Sequence, residues 1–172
     1  VEPGDIFVAI RGERVDGHQF IREVFDKGAI AVVCEEEPEE LPGPCIRVED
    51  SLAALRQIAA FYREQMPIPI VGITGSVGKT STKEFVASVL AQKYKTHKTQ
   101  GNFNNEIGVP LTLLAMPEDT EAAVVEMGIN HFGEMHRLSE MVKPDICVMT
   151  NIGQCHLESV SYTHLTLPTI LR

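Results

Sequence analysis

The hydrophobic positions change character at one short segment, "MPIP" (Met66–Pro69). Before it, apolar residues come in short runs between polar stretches. "DIFVAI" (Asp5–Ile10), "AIAVVC" (Ala29–Cys34) and "CIRV" (Cys45–Val48) predict strands. "HQFIREVFDKG" (His18–Gly28) predicts a short helix stopped by Gly28. Asp50 is expected to cap a second helix, because its carboxylate can accept from the exposed first-turn N–H groups. Leu52, Leu55, Ile58, Ala59 and Tyr62 recur at helical spacing and predict its apolar stripe. Two prolines in four residues then end helical structure, so a domain boundary is expected after Met66. Residues 1–66 read as a small mixed α/β domain.

After the prolines the strands lose their polar positions. "IVGIT", "AAVVE" and "ICVMT" are nearly continuous apolar runs. Such strands are buried on both faces, as in a parallel sheet covered by helices. Helical patterns lie between them: Phe85, Val86, Val89 and Leu90, then Met135, Leu138 and Val142. The alternation predicts an open α/β domain with a mostly parallel sheet.

Composition narrows the function classes. The 172 residues are 44% hydrophobic and carry a net charge of −9. A general nucleic-acid surface needs clustered Lys and Arg, so that class is excluded. No apolar run approaches the ~20 residues of a membrane span, and no signal peptide opens the chain. Cys34, Cys45, Cys147 and Cys155 form no C-x-x-C pair. They read as buried free thiols of a reducing, cytoplasmic compartment. "EEEPEELPGP" (Glu35–Pro44) reads as a solvated acidic loop.

The chemistry concentrates after the first apolar strand of the second domain. "GSVG" joins the strand "PIVGIT" to the helix "KTSTKEFVASVLAQ". A glycine-rich turn entering a helix aims several N–H groups and the positive end of the helix dipole at one point. Gly75, Ser76, Val77, Gly78, Lys79, Thr80 and Ser81 are therefore the candidate phosphate cradle. Lys79 can supply a point charge to the phosphates, and Thr80 a hydroxyl to Mg²⁺. The glycine spacing differs from the common phosphate-loop pattern, since Ile73 stands where that pattern has glycine.

Glu126 ends the run "AAVVE". In open α/β sheets ligands bind beyond the carboxyl ends of strands, so Glu126 is a candidate metal-binding acid. His156 follows the run "ICVMT" in the same manner and is a candidate second-metal ligand. "KTQGNFNNEIGVP" (Lys98–Pro110) holds Asn102, Asn104 and Asn105 in a polar loop. Such amides can orient phosphate or substrate, or simply build turns.

With these motifs in order, the chain resembles the Mur ligases, the ATP-dependent enzymes of peptidoglycan precursor synthesis. Their phosphate loop has the form T-G-x-x-G-K-T, which matches Thr74–Thr80. "GNFNNEIGVPLTLL" and "EMGINHFGEM" resemble the branch that adds D-alanyl-D-alanine, and "PGDIFVAIRGERVDGHQFI" resembles the family's uridine-nucleotide domain. The resemblance covers roughly residues 1 to 158. It implies a uridine-nucleotide domain at 1–66 and a partial ATP-binding domain at 67–158. It also implies ATP and Mg²⁺ as cofactors, UDP-N-acetylmuramoyl-tripeptide and D-Ala-D-Ala as substrates, and a monomer. Lys79, Glu126, His156 and Asn105 would serve catalysis. Thr80, Glu126 and His156 would hold metal. His18 and Gln19 would contact the uridine diphosphate.

Three departures accompany the resemblance. The chain begins after the place of an Asp-Ser-Arg strand in relatives, and it stops before the domain that binds the incoming dipeptide. Residues 159–172, "SVSYTHLTLPTILR", do not resemble the family and hold no lysine where relatives carry one that bridges metals. The expectation is a partial ligase that does not catalyse ligation alone, with 159–172 outside the ATPase core. Competing readings are the family branch that adds the third stem residue and a phosphate-loop kinase. A GTPase would need a guanine-reading N-K-x-D, which this sequence lacks.

Overall fold

The computed structural model describes residues 1–12, 14–36, 40, 42–129, 131 and 133–153. They form two compact units, divided between Gln57 and Ile58. The first unit holds β1 (Ile6–Val8), β2 (Ala31–Cys34) and β3 (Cys45–Arg47), all parallel, in the order β1-β2-β3. A 3-10 turn (Gly17–Phe20) runs into α1 (Ile21–Asp26). Ile21 and Val24 of α1 pack on Ala9, Val32 and Cys34 to make this unit's small core. Cys34 is buried, as its apolar neighbours predict, whereas Cys45 is half-buried and Cys147 is exposed. Cys155 lies outside the described residues.

The helix α2 (Ser51–Gln65) starts as its sequence predicts: Asp50 Oδ1 accepts from Ala53 N at 2.8 Å. Glu35, expected only as a solvated acid, accepts from Ser51 N at 3.0 Å through Oε1. The division between the units falls inside α2, nine residues before the proline segment. The reason is packing: Ala59, Tyr62 and Met66 join the second unit's core, so the helix does not belong wholly to the first. Ile58 departs from the expected stripe and is 43% exposed.

The second unit holds β4 (Ile70–Thr74), α3 (Lys79–Leu90), β5 (Thr96–Lys98), α4 (Gly108–Leu114), β6 (Ala122–Glu126), α5 (Glu134–Val142) and β7 (Ile146–Met149). Its sheet runs β5-β6-β4-β7 and is parallel throughout. One face packs Ile70, Ala123 and Val125 against Val109 and Leu113 of α4 and Met135, Leu138 and Val142 of α5. The other packs Ile73 and Val124 against Ala87 of α3. Burial on both faces explains why β6 has no polar position before Glu126. Its Val124 and Val125 side chains would each lose about 1.5–3 kcal/mol of burial if exposed.

Two expectations change here. On α3, Phe85 and Val89 are 74% and 70% exposed, and the buried positions are Lys83 and Ala87. Val86 and Leu90 do pack inward, half-buried. The helix is rotated so that the face carrying Lys79 and Lys83, one turn apart, lies over the strand ends. β7 is not buried on both faces: it pairs with β4 alone among the described residues, and Ile146 is 58% exposed.

His97 on β5 provides a pH probe for this unit. Its Nε2 lies 2.9 Å from the Thr112 carbonyl oxygen, so Nε2 carries the proton and donates. Burial pushes its pKa below the ordinary 6.5, outweighing the carbonyl contact. The unfolded chain therefore binds the proton more readily than the folded one. Stability is full above about pH 6.5 and falls as pH drops below it. Thermal melts between pH 8 and 5 should show this fall, and His97→Gln, which keeps an N–H donor, should flatten it. Parallel profiles for the two proteins would show that His97 is not responsible.

Candidate functional site

The loop Gly75–Gly78 lies between the C-terminal end of β4 and the first turn of α3. Gly75 has φ +133° and Gly78 has φ +84°, both conformations that disfavour a side chain. Gly75 has a second constraint, because a Cβ there would lie 2.2 Å from Thr150 Oγ1. Lys79 opens α3 and folds its ammonium back over the loop, donating to Gly75 O at 2.8 Å. The first-turn N–H groups of Lys79, Thr80 and Ser81 have no intrahelical acceptor and point to the same end of the helix. The arrangement is a cradle of donors with one positive charge beside it. Ser76 and Val77 belong to the same loop, but their N–H groups donate to Asn151 in this structure.

Glu126 stands beside this loop because β6 neighbours β4, with Ile73 opposite Glu126. It is 1% exposed. Its Oε1 accepts from Asn104 Nδ2 at 2.8 Å and from Thr80 Oγ1 at 3.3 Å. Its backbone N–H donates to Thr99 Oγ1 at 3.0 Å. Its Oε2 is buried without a hydrogen-bond partner, with Lys83 Nζ at 3.8 Å. A buried carboxylate oxygen without a donor is costly unless a cation satisfies it. The donor set of a carboxylate and a hydroxyl is what a hard divalent cation takes. Thr80 and Glu126 therefore fit the metal role in their chemistry. His156, the third expected ligand, lies outside the described residues, as does the whole segment 159–172. Among the described residues no cluster of three His, Cys, Asp or Glu side chains could hold a metal by itself.

Sequence reasoning did not single out Lys83, yet it is 1% exposed in this site. Its Nζ donates to Gly101 O at 3.3 Å and faces Glu84 at 3.2 Å. The available signal was its place four residues after Lys79 and four before Ala87, on one helical face. Asn104 is the asparagine of its loop that reaches Glu126. Gly128 makes room for it, since a Cβ there would lie 2.9 Å from Asn104 Oδ1. Asn105, expected near the transferring phosphoryl group, uses Oδ1 to accept from Ile107 N at 3.2 Å and Gly108 N at 2.8 Å. It caps α4 in this structure.

In the first unit His18 is engaged by its own neighbours. Its Nε2 accepts from Glu35 N at 3.0 Å, so the proton sits on Nδ1, which donates to Asp16 Oδ1 at 2.6 Å. Both ring nitrogens are occupied, and the His18 backbone N–H together with the ring holds the Asp16 carboxyl below its usual range. Gln19 is exposed on the 3-10 turn. An open groove of about 780 Å³ is lined instead by Arg11, Glu35, Glu36, Arg47, Val48 and Glu49. Arg11 is engaged by Glu36 at 2.7 Å. Arg11 and Arg47 are the cations this groove offers an anionic ligand. Single arginines on a strand and a loop carry no spacing signal, so the sequence did not mark them.

Both units are similar to known proteins. Residues 73–167 match the family model described as the Mur ligase middle domain, and residues 1–63 match the one described as the Mur ligase family, catalytic domain. Curated relatives include the UDP-N-acetylmuramoyl-tripeptide--D-alanyl-D-alanine ligases of Bacillus subtilis and Synechocystis. The first is 44% identical over 93% of this chain and 35% of its own length. The second is 48% identical over 90% of this chain and 34% of its own length. Among solved structures, a MurF from Acinetobacter baumannii superposes with TM-score 0.86 at 39% identity, covering 91% of this chain and 34% of that one. A MurF ligase from Thermotoga maritima in complex with ADP superposes with TM-score 0.84 at 38% identity, covering 91% and 36%. The chain thus spans about a third of the length of the relatives it matches.

Proposed function

We propose a function from one premise: this chain belongs to the Mur ligase family. Its first unit binds the uridine nucleotide, its second binds ATP, and the whole protein joins D-Ala-D-Ala to UDP-N-acetylmuramoyl-tripeptide. One observation carries the reading. The strand–GSVG–helix loop and the buried Glu126 come together at adjacent strand ends, with Thr80 Oγ1 3.3 Å from Glu126 Oε1.

The chemistry this site would serve begins with an unreactive carboxylate. Phosphorylation by ATP gives that carboxylate a leaving group, and the amine of D-Ala-D-Ala then attacks the acyl phosphate. The first step brings two anions together, which requires positive charge. Lys79 supplies it, together with the helix-end N–H groups. Thr80, Glu126 and His156 would hold Mg²⁺, which neutralises phosphate charge when bound. Asn104 and Lys83 orient Glu126 from two sides. His18 shapes the uridine side through Asp16 and Glu35, with Gln19 and Arg47 exposed and Arg11 held by Glu36 until an anionic ligand competes for it. The enzyme works as a cytoplasmic monomer; among the described residues no helix is long and apolar enough to cross a membrane.

Calorimetry with ADP, with and without Mg²⁺, tests the nucleotide half of this reading. The chain should bind ADP more tightly with Mg²⁺. Glu126→Gln keeps an oxygen for Asn104 and Thr80 but removes the charge, and should cut the Mg²⁺ enhancement about tenfold, the loss of one charge-assisted contact. A chain that binds ADP equally with and without Mg²⁺ would sink the metal assignment. For the full-length protein, a ligase releases phosphate and forms an amide only with both substrates. A stable phosphoryl product formed without D-Ala-D-Ala would favour a kinase instead.

A further inference from the structure

The phosphate loop does not hold its shape by glycine alone. The segment after β7 grips it, and we propose that Thr150 and Asn151 are positioning residues that keep the loop ready for an anion. The proposal rests on the nucleotide-site reading above. Neither residue belongs to the loop motif, and neither drew attention in the sequence.

The grip is bilateral. Asn151 Oδ1 accepts from Ser76 N at 3.1 Å and from Val77 N at 2.9 Å. The Asn151 backbone oxygen also accepts from Ser76 N, at 3.2 Å. On the other side of the same short segment, the Thr150 hydroxyl donates to Val77 O at 2.6 Å. The Thr150 backbone N–H donates to Thr74 O at 2.9 Å. Ser76 Oγ donates to Gly153 O at 3.0 Å and accepts from Gly153 N at 2.9 Å. Thus the Ser76–Val77 segment is held by its N–H groups, its carbonyl and a side chain, all from one strand end.

This arrangement answers a physical need. A loop with two glycines in left-handed conformations has many other shapes available, and each residue ordered on binding costs conformational entropy. A loop already ordered loses none at that moment, so its affinity is higher. Ser76 and Val77 are engaged by Asn151, which leaves the first-turn N–H groups of α3 to face the phosphates. Val77 is 70% exposed, so packing does not hold it, and the hydrogen bonds must. β7 is paired with β4 up to Met149, so Thr150 and Asn151 follow directly on a fixed strand end.

The test uses the 172-residue chain, with amide hydrogen exchange followed by NMR and ADP binding followed by calorimetry. In the wild type the Ser76 and Val77 amides should be protected despite their position on the surface. Asn151→Ala should speed their exchange roughly tenfold or more and weaken Mg·ADP binding about tenfold. Asn151→Asp keeps the acceptor, so protection should remain, but its charge faces the phosphates and ADP affinity should fall with a dependence on salt. Thr150→Val should resemble Asn151→Ala, and Thr150→Ser should restore wild-type behaviour. Asn151 and Thr150 lie just beyond β7 and outside the hydrophobic core, so these variants should fold. Unchanged exchange at Ser76 and Val77 in Asn151→Ala overturns the proposal. So does tighter ADP binding by Asn151→Ala, which would make the amide an obstacle rather than a support. If the wild type binds no ADP but Asn151→Ala still loses protection, the grip stands and the nucleotide reading fails.

Discussion

Gly75→Ala should lose nucleotide binding and destabilise the second unit by about 3 kcal/mol, the sum of a strained backbone and an overlap. The φ of +133° is open to glycine and resisted by alanine. The new Cβ would lie 2.2 Å from Thr150 Oγ1 and 3.0 Å from the backbone N and O of Asn151. Thr150 cannot swing aside cheaply, because its hydroxyl is bonded to Val77 O. Relief would require the loop to leave the β7 end, which breaks the hydrogen bonds that order Ser76 and Val77. Gly78→Ala is the internal comparison. It meets the same kind of backbone restriction at φ +84°, but nothing lies within 4 Å of its Cβ. It should cost only about 1–2 kcal/mol. Urea melts of the two variants give the comparison directly. Equal losses would show that the contact with Thr150 is not what requires glycine at 75.

Lys79→Ala should weaken Mg·ADP binding about 10- to 150-fold with little change in stability. The affinity loss follows from one charge-assisted contact worth ~1.5–3 kcal/mol, at about 1.4 kcal/mol per tenfold. Stability should change little because Lys79 is half-exposed and its hydrogen bond in this structure goes to Gly75 O, an exchangeable loop carbonyl. Arginine would not substitute well, since its planar fork does not match a point charge folded over a tight loop. Calorimetry on a variant whose melting curve matches the wild type decides the matter: equal ADP affinity would remove Lys79 from the nucleotide site. Lys83→Ala should behave oppositely, with a large stability loss. It removes the cation nearest Glu126 Oε2 from a site 1% exposed.

Part of this was legible in the residues because the information is local. Asp50 caps α2 through its own neighbour three residues on, so the cap can be read from sequence. Met135, Leu138 and Val142 repeat at helical spacing and are buried as that spacing predicts. Unbroken apolar runs announced a covered parallel sheet, and the turn between β4 and α3 was visible as strand, glycines and Lys-Thr. The same reasoning failed where a residue's environment is set by a neighbour distant in sequence. Phe85 and Val89 fit a helical stripe, but α3 turns Lys83 and Ala87 inward instead.

The amino-acid sequence by itself marked β4, β6 and β7, the helices α3 and α5, the phosphate loop and the carboxylate at the end of β6, but it did not mark α4, which begins inside the segment read as a polar loop. Periodicity, capping and glycine placement act over a few residues, and each residue type carries its own preference. Only the tertiary structure decided which groups meet. β6 and β7 both flank β4, which sets Glu126 on one side of the loop and Thr150 and Asn151 on the other. Asn104 and Lys83 converge on Glu126 from segments 22 and 43 residues away in the chain. Such meetings depend on strand order and helix rotation, which the packing of the whole sheet selects and no local pattern encodes.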